Sequence, residues 1–531
     1  MNHLIAAPFL LPGLTACILV LLGNSLRWQR VVSIGSSALC AVVCGVLLVH
    51  AESGPALVYA FGNWPAHLGV VFVLDRLSAT MIAMSAIVAL AALLHSVPRW
   101  DEGGRHFHAI FHCQCMGLNG AFLTGDLFNL FVCFEIMLIS SYALLSHGGG
   151  VPRLRANVSY VTLNLTGSAL FLIAVSLLYR AGGTLNMADL GVAFADPASA
   201  DVPWIRAGAL LLLVVFLLKA AIVPLHSWLP SVYTAAAAPA AALFAVLTKV
   251  GAYATLRVGT VVFGLSPAAA GLEASVLPLA LVTLVLASLG AFTATTLSQL
   301  AAWLAAASSA SVLMGIGAFS LRGVSGGILY AVASTLAIAA LFLLSDIVAS
   351  VRGGAWQDRL SRGPRVSGSV AAWFFIVSIA VAGMPPLAVF LAKATMLSAF
   401  ASQPSILAVA LAASALQLFV LARAGIRLFW STELVSGTPE HVPSQMPSVR
   451  PLGLLMAAIA ALTIAAGHAD RLLLSSDFAS ARSLKKNGGA GLAQTATVFG
   501  PMLLKAGLPE ATLTRILTEN PKRFLACAPK V

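Results

Sequence analysis

WIRAGALLLLVVFLLKAAIVPLHSWLP, residues 204–230, begins as a membrane-spanning apolar run and then carries Lys219 among aliphatic side chains. Pro224, His226 and Pro230 follow it closely. A lysine inside hydrocarbon costs roughly 2.5–3.5 kcal/mol on insertion scales, so it normally faces a polar interior or a partner. A proline shortly after it removes a backbone donor and weakens the helix, which is tolerable only where protein or water satisfies the freed groups. A charged lysine beside a helix break is what an ion path requires. The plainer alternative is a lysine snorkelling to the interface from near its helix end. Glu135, Lys249 and Lys393 lie similarly in other apolar runs, and that recurrence favours the ion path.

Composition sets the class. Of 531 residues, 60% are hydrophobic and only 9% charged, with a mean hydropathy of +0.96. A soluble protein of this length would carry about a quarter charged residues. The chain therefore reads as an all-α polytopic membrane protein, with room for about 14 transmembrane helices at about 20 residues each. The net charge of +12 says little about nucleic acid, because Lys and Arg gather in loops as the positive-inside rule expects. The seven cysteines lie mostly inside apolar runs (Cys17, Cys40, Cys44 and Cys133), so no disulfide framework is implied. The first apolar run lacks a basic leader region and a cleavage site, and reads as a retained span.

In chain order, Leu4–Gly23 and Val31–His50 are two spans separated by Arg27 and Arg30. A polar loop from Glu52 to Leu68 precedes the third span, Val70–Leu94, in which Asp75 and Arg76 read as an interfacial ion pair. In HFHAIFHCQC, His108 and His112 stand at i, i+4 with Cys115 three residues on, a face that could approach zinc but lacks a fourth ligand. No metal or cofactor is expected. The fourth and fifth spans meet at Thr124-Gly125-Asp126, where Asp126 should cap the next helix. Glu135 then lies about eight residues in, roughly 12 Å from the helix start. It is too deep to snorkel, and must be neutral, paired or bathed in internal water. A structural glutamate bonded to a neighbouring helix is the alternative.

TGDLFNLFVCFEIM, then LLKAAIVPLHSWLP and AAPAAALFAVLTKVGAYATLRV, resemble the D-subunit family of Mrp-type multisubunit monovalent cation/proton antiporters. The wider superfamily includes the antiporter-like subunits of respiratory complex I and related hydrogenases. The resemblance runs from near the N-terminus to about residue 470. It implies a proton-translocation chain: Glu135 as the fifth-helix glutamate, Lys219 in a broken seventh helix, Lys249 in the eighth and Lys393 in a broken twelfth. His226, beside the first break, is a further candidate. Pro385-Pro386 supplies the second break as Pro224 does the first, the expected signature of inverted repeats. The implied layout is N-terminal helices over 1–106, a first five-helix repeat over 107–260 and a second over 274–430. A last span follows within 451–470 (Leu452–Ala466), and then a soluble basic tail over 476–531.

One departure stands out. Where the family often carries a histidine or lysine before LFLL, this chain has Ala333 or Ser334 and Ile338. Ser334, Thr335 and water would have to carry protons between Lys249 and Lys393, although hydroxyls hold no charge at neutral pH. The tail, GLPEATLTRILTENPKRFLACAPKV, resembles the end of phosphotriesterase-like amidohydrolases, without that family's metal-binding histidines upstream.

The resemblance implies a secondary-transporter subunit rather than an enzyme: part of a hetero-oligomeric monovalent cation (Na⁺)/proton antiporter in the cell (inner) membrane, working with other membrane subunits. The alternative is a proton-pumping subunit of a complex I-like quinone oxidoreductase or membrane-bound hydrogenase; a hydrolase is motivated by the tail alone. Loops after odd-numbered spans hold most Lys and Arg, which places them in the cytoplasm and both termini outside. In a background without the other cysteines, Arg153→Cys and Arg359→Cys should label from the cytoplasm and Cys527 from outside. Labelling of Cys527 only from the cytoplasm would put the span count off by one or reverse the orientation.

Overall fold

The computed structural model describes residues 2–430 and 447–467, apart from residues 24, 54, 98, 199, 265, 354–356, 362 and 365. The last residues of the 451–470 segment and the whole 476–531 tail, Cys527 included, lie outside the described residues.

Long apolar segments satisfy their backbone groups only by folding on themselves as helices. Seventeen α-helices result among the described residues. The N-terminal part holds α1 (Ala7–Leu21), α2 (Leu26–Ser53) and α3 (Arg76–Ser96). Next come α4 (Phe107–Leu123), α5 (Leu127–Ser146), α6 (Val151–Gly182), the short α7 (Met187–Ala193), α8 (Val202–Lys219), α9 (Trp228–Ala235) and α10 (Ala238–Val261). The rest comprises α11 (Val276–Thr293), α12 (Leu297–Ile316), α13 (Leu321–Arg352), α14 (Gly368–Ala382), α15 (Ala388–Ser398), α16 (Pro404–Gly425) and α17 (Arg450–Gly467).

Eleven of these helices are long and apolar enough to cross a membrane. The chain is a multi-pass membrane protein. Length alone does not reach the expected count of about 14 spans. The reason is that α14, α15 and α17 are shorter apolar helices, and α4 has only 17 residues. The interior is built from α10, α12 and α13, whose apolar windows are 100%, 89% and 94% buried, against 28% for α2. A helix apolar on every side belongs inside a bundle, and α10 accordingly carries Lys249 to the centre.

Two local expectations are corrected. The third helix starts at Arg76 rather than Val70, because residues Val71–Leu74 form a strand, β2, paired antiparallel with β1 (Leu57–Ala60). Asp75 then closes a capping box with Ser78, whose backbone N–H donates to Asp75 Oδ1 at 2.8 Å. Asp75 also pairs with Arg257 on α10 rather than with Arg76, which donates instead to the Glu52 carbonyl. A bidentate guanidinium from a packed neighbour satisfies the carboxylate better than the adjacent side chain can.

The basic loops gather at one end. Arg30 pairs with Asp101, Arg99 with Asp346, and the Arg153 guanidinium lies over the Trp100 ring at 5.5 Å. At the opposite end, α5 starts beside β2: its first N–H donates to the Leu185 carbonyl, and its cap, Asp126, accepts from Asn129 at 2.8 Å as expected. The start of α12 has a similar arrangement, Leu297 N–H donating to the Asp358 carbonyl, but at the basic end.

Burial pushes the Asp75 carboxyl up, but the Arg257 charge and the Ser78 bonds outweigh it and hold the group below the usual carboxylate range. Its stabilisation is therefore complete above the unfolded value of about 3.9 and is lost as pH falls through the lower folded value. Asp75→Ala should cost about 3 kcal/mol, and Asp75→Ala with Arg257→Met should cost less, because no buried charge is then left alone. Thermal unfolding midpoints in detergent check this.

Candidate functional site

The site is assembled where helices stop. Proline at 224 disfavours helix at the residue before it and supplies no donor. Lys219 is the last residue of α8, directly before the break. Its position at a helix C-terminus suits a cation, which meets the negative end of the helix dipole. The backbone groups freed by the break are taken up by side chains. Trp228 Nε1 donates to the Leu218 carbonyl at 3.1 Å, Ser309 Oγ to the Ala220 carbonyl at 2.7 Å, and the Val223 N–H donates to Thr283 Oγ1 at 3.0 Å. The break is thus held by α9, α11 and α12 together.

Lys219 is 5% exposed, and its Nζ turns inward to donate to Asn164 Oδ1 at 3.1 Å. That geometry excludes snorkelling. One turn along α6, the Ser168 hydroxyl lies within hydrogen-bond reach of both Glu135 Oε1 and the Asn164 carbonyl, and its one proton serves either acceptor. Glu135 and Lys219 therefore do not pair directly; a single turn of α6, Asn164 to Ser168, stands between them. Glu135 is only partly buried, on a face of α5 whose Phe128 and Ile139 are 48% and 63% exposed.

Lys249 is brought up to the same break by a glycine. A Cβ on Gly251 would lie 2.5 Å from Ala220 N and 2.8 Å from the Phe216 carbonyl, so only glycine lets α10 pack this closely on the end of α8. Lys249 Nζ reaches Thr248 Oγ1 at 3.5 Å, the outer limit of a hydrogen bond.

Lys393 repeats the theme on α15. Its Nζ donates to the Ala382 carbonyl at the end of α14 at 2.9 Å, and to Ser414 Oγ at 3.4 Å. Gly383, at φ +72°, opens the turn there, and its absent side chain leaves room for the lysine stem. The Ala388 N–H after the Pro385-Pro386 break donates to Thr463 Oγ1 at 2.8 Å.

Between Lys249 and Lys393, where the sequence holds no third ionisable group, hydroxyls line the gap. Ser308 on α12 and Ser334 on α13 share a bond of 2.8 Å, and the Lys393 ammonium lies 5.9 Å from the ring centre of Tyr330, one turn before Ser334 on α13. Ser334 thus falls where expected. Thr335 does not join, because its hydroxyl returns to the Ala331 carbonyl of its own helix. His226 sits in the first break against Trp303, and no hydrogen bond joins it to either lysine among the described residues. Sequence reading missed Asn164, Ser168 and Tyr330; the i, i+4 pair of polar residues in the apolar α6 was the available signal.

These features define a polytopic helical membrane protein with buried lysines at two broken helices. The match to the NADH:quinone oxidoreductase/Mrp antiporter transmembrane family covers residues 124–418, more than half the chain, and the chain belongs to that family. It is 36% identical over 514 residues to the D-subunit of a probable K⁺/H⁺ antiporter of Rhizobium meliloti, covering 89% of this chain and 94% of the relative. It is 34% identical to the D-subunit of the Na⁺/H⁺ antiporter of Alkalihalophilus pseudofirmus, over 88% and 94% of the two chains. Among solved structures, it resembles a chain of the Mrp complex from Dietzia sp. DQ12-45-1b with a TM-score of 0.77 at 26% identity, covering 89% of this chain and 96% of that one. A chain of respiratory complex I from Thermus thermophilus shares the fold, with a TM-score of 0.74 at 23% identity over 88% and 96% of the two chains. A phosphotriesterase-family match covers residues 449–525.

Removing one link of the hydroxyl gap should slow proton movement without disturbing packing. Ser308→Ala and Ser334→Ala should each lower cation-linked proton flux about tenfold, the size of one lost hydrogen bond of ~1.4 kcal/mol on the barrier. Flux per assembled complex in vesicles measures this, and Thr335→Val, outside the file, serves as the control.

Proposed function

We propose that this chain is the subunit of a multisubunit monovalent cation/proton antiporter that carries a proton path through Glu135, Lys219, Lys249 and Lys393. The observation that supports this most is the bridge at the first break, Lys219 to Asn164 and Ser168 to Glu135. It places an acid and an amine one helical turn apart in a low-dielectric interior, where the charge on one biases the proton on the other. Water entering between them would let the proton pass. The hydroxyls of Ser308, Ser334 and Tyr330 extend the route to Lys393.

The layout in this reading is an N-terminal part over 1–106 and two inverted repeats over 107–260 and 274–430. The last span lies within 451–470, and a tail over 476–531 plays no part in transport. The matching starts of α5 and α12 at opposite ends support the inversion. Three further spans, α4, the broken α14–α15 pair and α17, would join the eleven long helices to make about 14. The membrane is the cell (inner) membrane, with the basic loops on the cytoplasmic side and both termini outside. Other membrane subunits complete the machine. The half-exposed Glu135, an ionisable group flanked by exposed Phe128 and Ile139, belongs against protein rather than lipid. The names of the relatives divide between Na⁺ and K⁺, so both ions are to be compared. A complex I-like pump is the second reading; its structural support is a likeness of fold.

The test is cation-driven proton flux in everted vesicles carrying the whole assembly. Lys219→Ala should abolish exchange with Na⁺ and K⁺ alike while the complex still assembles. Glu135→Ala should do the same, and Glu135→Asp should keep part of the activity. The double mutant should be no worse than either single one, as for residues acting as a unit. Near-normal exchange in an assembled Lys219→Ala complex would end this reading.

A further inference from the structure

A second polar file lies outside the lysine chain, in the N-terminal part. On α4, His108, His112, Cys115 and Asn119 fall at i, i+4, i+7 and i+11, one face of a helix. On α2, Ser33, Ser37 and Cys40 fall at the same spacing and meet that face. The contacts run in series. His108 Nε2 bonds Asp101 Oδ2 at 3.3 Å, His108 Nδ1 bonds Ser33 Oγ at 3.1 Å, and Ser33 Oγ bonds His112 Nε2 at 3.0 Å. Beyond His112 lies a cavity of ≈ 10 Å³, room for about one water, lined also by Ser37, Ser85 and Asn119. Both histidines and Asn119 are at least 99% buried, yet His112 Nδ1 and Asn119 Oδ1 have no partner among the described residues.

A serine has one proton to give, so the series admits one consistent placement of hydrogens with neutral histidines. Asp101 accepts from His108 Nε2–H, His108 Nδ1 accepts from the Ser33 hydroxyl, and Ser33 accepts from His112 Nε2–H. His112 Nδ1 is then a bare lone pair, in the ring that lines the cavity. Every donor points toward Asp101. His108, bonded through both ring nitrogens, has the arrangement a proton shuttle requires. A buried ring nitrogen without a partner beside a water-sized space calls for an explanation, and a proton acceptor supplies one.

We propose that α2 and α4 enclose a second proton file, running between Asp101 at the basic end and the cavity at Asn119, separate from the lysine chain. A proton carried into the cavity by water passes to His112 Nδ1, His112 Nε2 gives one to Ser33, Ser33 gives one to His108 Nδ1, His108 Nε2 gives one to Asp101, and Asp101 gives one to solvent water beside Glu102. Each group gains and loses one proton, and the ring and hydroxyl reorient before the next. Other titratable groups near this route are Arg30 and Glu102 at its mouth, His147 beside the loop, and the thiols Cys40, Cys44 and Cys115 at its inner end. Burial pushes the Asp101 carboxyl up, but the bonds from His108 and Arg30 outweigh it and keep the group below the usual carboxylate range. The stretch from His108 to Asn119 spans about 16 Å, half the hydrocarbon thickness. Its inner end reaches the helix that packs on α5 at Cys133 and Met137, the residues flanking Glu135.

This inference rests on the antiporter reading, so the experiment carries Lys219→Ala alongside. In everted vesicles with the whole assembly, Ser33→Ala and His112→Gln should each lower cation-linked proton flux per assembled complex about tenfold and shift its pH dependence. Ser33→Thr, which keeps the hydroxyl, should retain flux near the starting level. Wild-type flux in Ser33→Ala and His112→Gln, with Lys219→Ala inactive, would overturn the file and spare the antiporter reading. Flux that falls only in step with assembly would overturn it too, leaving a structural network. Retained flux in Lys219→Ala, with losses in the file variants, would instead remove the lysine chain and keep the file.

Discussion

A primary amine held at the end of an interrupted helix is the constraint on which the rest of the structure depends. An ammonium deep in a bundle needs oxygens that an intact helix does not offer, because helix carbonyls are already bonded internally. Stopping α14 at Ala382 frees such an oxygen for Lys393, while Lys219 at the end of α8 takes the Asn164 amide oxygen of a neighbouring helix, and the surrounding helices must then satisfy every other group that the breaks expose. Trp228, Ser309 and Thr283 do this at the first break, and Thr463 does it at the second. The burial of α10, α12 and α13 follows, since these helices must close over the breaks and keep lipid away.

The two breaks solve the same problem differently. Lys219 donates to a side-chain amide, Asn164, which links it to Ser168 and Glu135; Lys393 donates to the backbone carbonyl of Ala382 itself. The first amine is thus coupled to an acid, while the second is anchored to a helix end and reached through hydroxyls. That asymmetry suits a path with an acid-gated end and an amine-terminated end. The tight approach of Gly251 to Ala220 places Lys249 beside the first break, which makes it the natural intermediate between them.

Much of this was legible in the sequence, for physical reasons. Isolated charges in long apolar runs are expensive, so Glu135, Lys219, Lys249 and Lys393 stand out without a structure. Asp126 as a helix cap follows from its place after Thr124-Gly125. Partner choice was not legible. Asp75 beside Arg76 suggested a local pair, yet Arg257, 182 residues on, takes it. The link between Lys219 and Glu135 was likewise hidden, because the intervening turn of α6 is visible only once the helices are packed. Ser and Thr residues in apolar helices bond their own backbone so often that Ser308 carried no warning. The β1–β2 hairpin was read as loop and helix because its strands are short and apolar, where periodicity does not separate the two.

The central claim is that Lys219 works by gaining and losing a proton, not as a fixed charge. The direct measurement is chemical replacement at that position: Lys219→Cys in the whole assembly, free of other cysteines in this subunit, modified with an aminoethyl or a trimethylammonioethyl thiosulfonate and confirmed by mass. The aminoethyl group, a titratable amine, should restore cation-linked proton flux, and the permanently charged group should not. Equal restoration by the quaternary group would contradict the claim.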